Sequence, residues 1–144
     1  MANVLFTQLG FPILLIDPPI LTVRGETLPD VNMKDLQSAV FRMLILKPAR
    51  LTGSEVRFIR AFQRLRQAEL AAILNMANHS VVSQWESRLD EPTGMDYNTE
   101  VVLRIWMANR IGRSDMIVDM LESSTRKLSP RADRPMEVRL TGAA

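Results

Sequence analysis

The feature that most constrains this sequence is a pair of short amphipathic segments joined by a turn, covering residues 67 to 87. In the second segment, NHSVVSQWES, the helical repeat of about 100° per residue puts the apolar side chains on one arc. That arc holds Val81, Val82, Trp85 and Leu89. The opposite arc holds short, uncharged, hydrogen-bonding side chains: His79, Ser80, Ser83, Gln84 and Ser87. Such a face is suited to a partner that presents hydrogen-bonding groups, and Asn78 can cap the start of the helix.

The first segment, residues 67 to 74, predicts a helix that packs through four apolar side chains: Leu70, Ala71, Ile73 and Leu74. Residues 75 to 77 predict a turn. Two short helices with a brief turn between them are typical of a helix-turn-helix, in which the second helix enters the major groove of DNA.

The charge distribution favours the same hypothesis. Residues 47 to 88 carry seven basic and three acidic side chains, an excess of +4, whereas residues 1 to 46 carry three and four and residues 89 to 144 carry eight and nine. Cations attract phosphates whatever the base sequence, and neutral side chains distinguish bases. A solvated arginine-rich face without a ligand is the alternative, and charge alone does not separate the two.

Composition excludes several classes of site. The chain has 144 residues, 47% of them hydrophobic, which is enough for one or two small cores. It contains no cysteine, so disulfides, cysteine zinc sites and thiol catalysis are excluded. The N-terminal apolar run lacks a basic leader and is broken by Asp17 and two prolines. We therefore expect no membrane span and a cytoplasmic location.

The remaining chain predicts strands at 13–16 and 20–24, separated by prolines that argue against a tight hairpin between them. Helices are predicted at 33–47, capped by Asn32, and after a Thr52–Glu55 capping box, where Arg57, Arg60 and Arg64 form a basic stripe. A further helix is predicted at 99–111, with Val101, Val102 and Ile105 inward and Gly112 at its end. A last short helix is predicted at 114–122.

The predicted fold class is mainly α with a small N-terminal β element, and its main part is a five-helix, helix-turn-helix DNA-binding domain. We predict three regions. Residues 1–48 form an interaction or dimerisation module, residues 49–122 form the helical domain, and residues 123–144 form a flexible tail, in which MEVRL could add a strand to an edge supplied by a partner.

Residues 52 to 112 resemble the Cro/CI-type (XRE) helix-turn-helix family. Gln67-Ala-Glu-Leu-Ala71 is similar to the opening of that family's second helix, and Val82-Ser-x-Trp-Glu86 is similar to its recognition helix. The resemblance implies structural roles for Val82 and Trp85 and an ion pair between Arg60 and Glu86. Two features depart from the family: Arg66 stands where a capping serine is usual, and the turn at 75–77 is one residue longer.

On this interpretation, base edges are contacted by His79, Ser80, Ser83, Gln84 and Ser87. Phosphates are contacted by Arg66, Gln67, Asn78 and Arg88. The order of elements is also similar to MqsA-type antitoxins, although the zinc-binding cysteines are missing, so metal binding does not carry over. This similarity implies a homodimer on an inverted repeat of double-stranded DNA, with the N-terminal module free to bind a second protein. We expect the dimer interface on the helix at 99–111 rather than on that at 33–47.

Two other classes of function compete with DNA binding. The closer competitor is a protein-interaction module that mainly binds and neutralises a toxin or another partner. Enzymatic activity is not expected, because no nucleophile motif or phosphate-binding glycine loop is present and His79, the single histidine, lies near no other metal ligand in sequence. No metal or other cofactor is expected.

Overall fold

The computed structural model describes residues 3 to 124 and 128 to 140. Within them the protein is mainly helical with small β-sheets, which confirms the coarse fold class. Contacts divide the chain into two units: residues 1–40 together with 134–144, and residues 41–133. This division differs from the predicted boundary at residue 48, since it falls inside the first helix, and it assigns the end of the chain to the first unit.

The first unit contains a three-stranded sheet of β1 (Val4–Phe6), β2 (Ile13–Leu15) and β5 (Met136–Val138), in the order β1-β2-β5. β1 pairs antiparallel and β5 pairs parallel with the central strand, Ile13 lying opposite Met136. Alternate residues are buried, among them Ile13, Leu15 and Val138, as the two-residue period of a strand requires. The prediction of a flexible tail is therefore wrong for residues 136–138, because β2 of the same chain supplies the edge.

A separate hairpin joins β3 (Ile20–Val23) to β4 (Glu26–Pro29). Its two-residue turn, Arg24-Gly25, has φ of 51° and 80°, the left-handed conformations of a type I′ turn. The strand predicted at 20–24 thus pairs with a neighbour that the sequence pattern did not indicate, and not with the strand at 13–16.

α1 (Met33–Ile45) begins at the predicted cap, where the side-chain oxygen of Asn32 accepts from the amide of Asp35 at 3.1 Å. Its buried side chains are Leu36, Ala39, Val40, Phe41, Leu44 and Ile45. Leu36, Val40 and Leu44 lie on its inward stripe, whereas Leu46 lies beyond the helix and is exposed.

The second unit holds the other helices: α2 (Gly53–Phe62), α3 (Gln67–Ile73), α4 (Ser80–Glu86), α5 (Tyr97–Arg110) and α6 (Asp115–Ser124). The predicted capping box of α2 is present, with Thr52 and Glu55 each accepting from the other's amide at 3.2 and 2.9 Å. Gly112, at φ 68°, follows α5 as expected, and the amides of Gly112 and Arg113 donate to carbonyls of its last turn.

The prediction for the buried face of α5 was wrong at Val102, which is exposed. The buried residues of this helix are Glu100, Leu103, Arg104, Met107 and Ala108. Glu100 and Arg104 are only 1% and 3% exposed. The Arg104 guanidinium donates to the carbonyls of Lys47 at 2.6 Å and Ala49 at 2.7 Å, and Glu100 accepts from Arg104 at 2.6 Å. Charged side chains are buried here because they satisfy the polar backbone that connects α1 to α2.

Candidate nucleic-acid interface

α4 packs against both α2 and α3 through its apolar side. Val82 and Trp85 are buried, as are Leu70 and Ala71 of α3. Val81 is half-buried, and Leu89, predicted to lie on the same face, is 59% exposed. Leu89 adopts a left-handed φ of 55°, so the chain has left the helix by this point and the helical wheel no longer applies.

The opposite side of α4 is a polar surface, and it contains every side chain predicted to read bases. His79, Ser80, Ser83, Gln84 and Ser87 are all exposed. The hydroxyl of Ser87 donates to the carbonyl of Gln84 at 2.7 Å, so in this rotamer it is available to a ligand as an acceptor. The face therefore presents both donors and acceptors without a formal charge when His79 is neutral. We call these five residues the polar face.

The start of α4 is held by Asn78. Its side-chain oxygen accepts from the amide of Ser80 at 3.0 Å, although the cap position of α4 is His79, one residue later than the sequence predicted. The side-chain oxygen of Asn78 is therefore already hydrogen-bonded to the helix, although the residue is exposed.

A buried carboxylate fixes the other end of α4. Glu86 accepts from Nε of Arg60 at 2.6 Å and from Nη2 at 3.0 Å, a two-pronged pair in which the hydrogen bond raises the pKa of Arg60. Arg60 also donates to the carbonyl of Leu65 at 2.9 Å, and Gln67 donates to Glu86 at 3.3 Å. The Arg60–Glu86 pair implied by the family resemblance is present, and it ties together α2, α3 and α4.

The four residues predicted to contact phosphates differ in their availability. Arg66, Asn78 and Arg88 are exposed, whereas Gln67 is half-buried against Glu86. Arg66 pairs with Glu69 at 3.2 Å, and its backbone amide donates to the same carboxylate at 2.8 Å. These hydrogen bonds lower the pKa of Glu69. Glu69 thus satisfies the backbone amide of the residue that precedes α3.

The longer turn between α3 and α4 is closed by Asn75. This residue takes the left-handed φ of 58°, a conformation that asparagine tolerates better than most residues. The amide of Met76 donates to the carbonyl of Ala71 at 2.8 Å and that of Asn75 to Ala72 at 3.1 Å. Asn75 therefore does here what a glycine does at many helix ends.

Sequence reasoning missed the importance of Gly53. A Cβ on this residue would lie 2.4 Å from the carbonyl oxygen of Trp85 and 2.8 Å from the amide nitrogen of Leu89. The amides of Gly53 and Ser54 also donate to the carbonyls of Glu91 and Leu89, at 3.2 and 2.9 Å. The start of α2 therefore touches the end of α4 backbone to backbone. A glycine at the first position of a helix was the available signal, because glycine is otherwise a poor helix former.

In the described parts of the chain, three or more histidine or acidic side chains nowhere come together as a possible metal site. None of the described helices has the length and apolar character to cross a membrane. Comparison with protein-family models, with curated proteins and with solved structures gives no match.

Proposed function

We propose that this chain is a sequence-specific DNA-binding transcriptional regulator, in which α3 and α4 form a helix-turn-helix of the XRE type. The observation that carries the proposal is the construction of α4. One side is anchored by Val82, Trp85 and Glu86, and the other exposes five uncharged hydrogen-bonding side chains. An α-helix fits the major groove of B-DNA, where each base pair presents its own pattern of donors and acceptors.

The lack of charge on the polar face supports base reading over general attraction to phosphate. Gln84 can form two hydrogen bonds with an adenine edge, and serine hydroxyls accept or donate to any base. The flanking arginines Arg66 and Arg88 are exposed and can meet the phosphates on either side. A helix that only covered the core would gain solubility more readily from lysine and glutamate at these positions.

We further propose that the functional form is a homodimer bound to an inverted repeat. A single module of this size buries too little DNA to give operator-level specificity, and two copies related by a two-fold axis read two half-sites.

The experiment begins with selection of double-stranded DNA from a random pool by the purified full chain. The affinity for the selected sequence is then measured by fluorescence anisotropy for wild type, Ser83→Ala and Gln84→Ala. We expect each substitution to weaken specific binding by about 1 to 3 kcal/mol while leaving binding to unrelated DNA unchanged. Gln8→Ala removes an exposed amide from the loop between β1 and β2 and is the matched control, for which we expect no change.

Salt dependence separates this proposal from a protein-interaction role. Phosphate contacts require log affinity to fall with log salt, by about 0.9 for each phosphate neutralised. Failure of the selection to enrich any sequence, or equal specificity in wild type and both α4 variants, would remove the assignment of α4 to the major groove.

A further inference from the structure

The β3–β4 hairpin exposes its apolar side chains and both of its long edges. Ile20, Leu21, Val23 and Leu28 are each between 44% and 48% exposed. Among the described residues this two-stranded sheet has no third strand. A two-stranded hairpin alone is marginally stable in water and gains most from a further strand.

The register of the hairpin shows which backbone groups lie on each edge. In a two-residue hairpin the residues flanking the turn, here Val23 and Glu26, exchange hydrogen bonds, and every second pair does so thereafter. The bond from the amide of Asp30 to the carbonyl of Pro19 continues this alternation. The backbone groups of Ile20 and Thr22 therefore point outward from β3, and the amide of Thr27 points outward from β4.

The two edges are not equivalent as templates for another strand. β4 ends in Pro29, which has no amide to donate, and begins at the charged Glu26. β3 offers an uncharged edge, ILTV, with both outward residues able to donate and accept. A strand adding to this hairpin is therefore expected on β3.

We propose that β3 pairs antiparallel with β3 of a second copy of this chain, giving a four-stranded sheet in the order β4-β3-β3-β4. This interface replaces the one expected from the sequence on the helix at 99–111. In the two-fold register that centres on Leu21, Ile20 of each copy lies opposite Thr22 of the other. All the outward amides and carbonyls of these residues are then paired, and neither Pro18 nor Pro19 is asked to donate. Leu28 and Leu21 of both copies form one continuous row across the sheet.

Charge complementarity favours a second copy over an unrelated strand. Arg24 directly follows β3 and Asp17 lies three residues before it, so the antiparallel pairing places the basic end of each strand near the acidic end of the other. Both side chains are exposed, and the two-fold axis generates the contact twice. One basic and one acidic residue at opposite ends of the same short edge are what an antiparallel pairing of identical strands requires.

The size of the edge sets the strength of the association. Four residues of strand span about 13 Å and bury less than the roughly 800 Å² per partner of a standard stable interface. The dimer is therefore reversible, and it forms without DNA.

The test is sedimentation velocity of the full chain over a concentration series in the absence of DNA. Thr22→Pro removes an outward amide from β3 and should hold the chain monomeric where wild type dimerises. Thr27→Pro introduces a proline at an outward position of β4 instead, and this variant should dimerise as wild type does. Circular dichroism of both variants shows whether the proline has altered the fold.

A charge exchange tests the same pairing without introducing a proline. Arg24→Asp alone should weaken dimerisation at least several-fold, and Asp17→Arg combined with Arg24→Asp should restore it. A wild-type chain that stays monomeric throughout the series would overturn the proposal. So would dimerisation that is unaffected by Thr22→Pro and by Arg24→Asp, which would place the interface elsewhere, for example on the exposed Val102 and Val118.

Discussion

Glu86 is the residue that fixes the orientation of α4, because a buried carboxylate must be matched by donors. Arg60 supplies two of them and Gln67 a third. A buried ion pair adds little net stability compared with apolar side chains of the same size, but removing one partner leaves a charge without compensation. The pair therefore matters more for where α4 sits than for how stable the fold is.

This asymmetry gives a prediction for Arg60→Ala. We expect it to lower the free energy of unfolding by about 2 to 3 kcal/mol, as measured by urea denaturation, because Glu86 is left buried and unpaired. Arg57→Ala, three residues away on the exposed side of α2, should change it by less than about 0.5 kcal/mol. Adding Glu86→Gln to Arg60→Ala should recover part of the loss. Equal stability of the Arg60→Ala and Arg57→Ala variants would contradict the role given to the pair.

At the residue scale, sequence was a good guide to the apolar positions of α3 and α4 and a poor guide to the buried face of α5. Val82, Trp85 and the polar face lie where the periodicity predicted. Glu100 and Arg104 were not foreseen as core residues, since charged side chains are usually exposed. Arg104 donates to backbone carbonyls more than fifty residues away, and Glu100 accepts from Arg50, at a separation of 50 residues. Nothing local in a sequence reports such a partner.

At the scale of elements, the ends of the helices are determined by a few residues with special backbone conformations. α2 ends at Phe62 with Gln63 as its C-cap, and Arg64, the next residue, takes a left-handed φ of 56°. The amides of Arg64 and Leu65 donate to the carbonyls of Ala61 and Arg60, each at 3.0 Å. This is the hydrogen-bond pattern that glycine usually closes, and a residue with a Cβ adopts it at a cost of roughly 1 kcal/mol.

Arg64→Gly should therefore stabilise the second unit by up to about 1 kcal/mol, since the left-handed conformation no longer carries a steric cost. Arg57→Gly is the matched control within the same helix, where glycine lowers stability by about 1 kcal/mol. Thermal and urea unfolding of the two variants should shift in opposite directions. A loss of stability in both would mean that Arg64 makes contacts that outweigh its backbone strain.

Helices were predicted more completely than strands because their signals are local. The caps Asn32 and Thr52 and the terminal Gly112 all act where the sequence placed them. Asp96, which accepts from the amide of Asn98 at 3.1 Å, was missed as a cap, so α5 begins two residues earlier than predicted. β5 pairs with a strand more than 120 residues away, and only the structure reveals an edge at that distance.

At the scale of the whole molecule, the proposed function requires two copies of α4 on one DNA duplex. Recognition helices of a two-fold dimer enter successive major grooves about 34 Å apart, one turn of 10 to 10.5 base pairs. The separation of the half-sites is therefore a geometric property of the dimer and can be altered in the DNA without touching the protein.

Inserting about five base pairs at the centre of the selected inverted repeat moves one half-site to the opposite face of the duplex. We expect affinity to fall to that of a single half-site, because only one copy of α4 can then reach its bases while the dimer stays intact. Inserting about ten base pairs returns the second half-site to the same face of the duplex and is the control. The affinity should recover only in part, because the two half-sites are then farther apart. Stoichiometry by sedimentation should give two chains on the original repeat. A stoichiometry of one chain per repeat, together with an affinity that the half-turn insertion leaves unchanged, would show that a single copy of α4 accounts for the recognition. Rotation of the second half-site matters only to a complex that holds both half-sites.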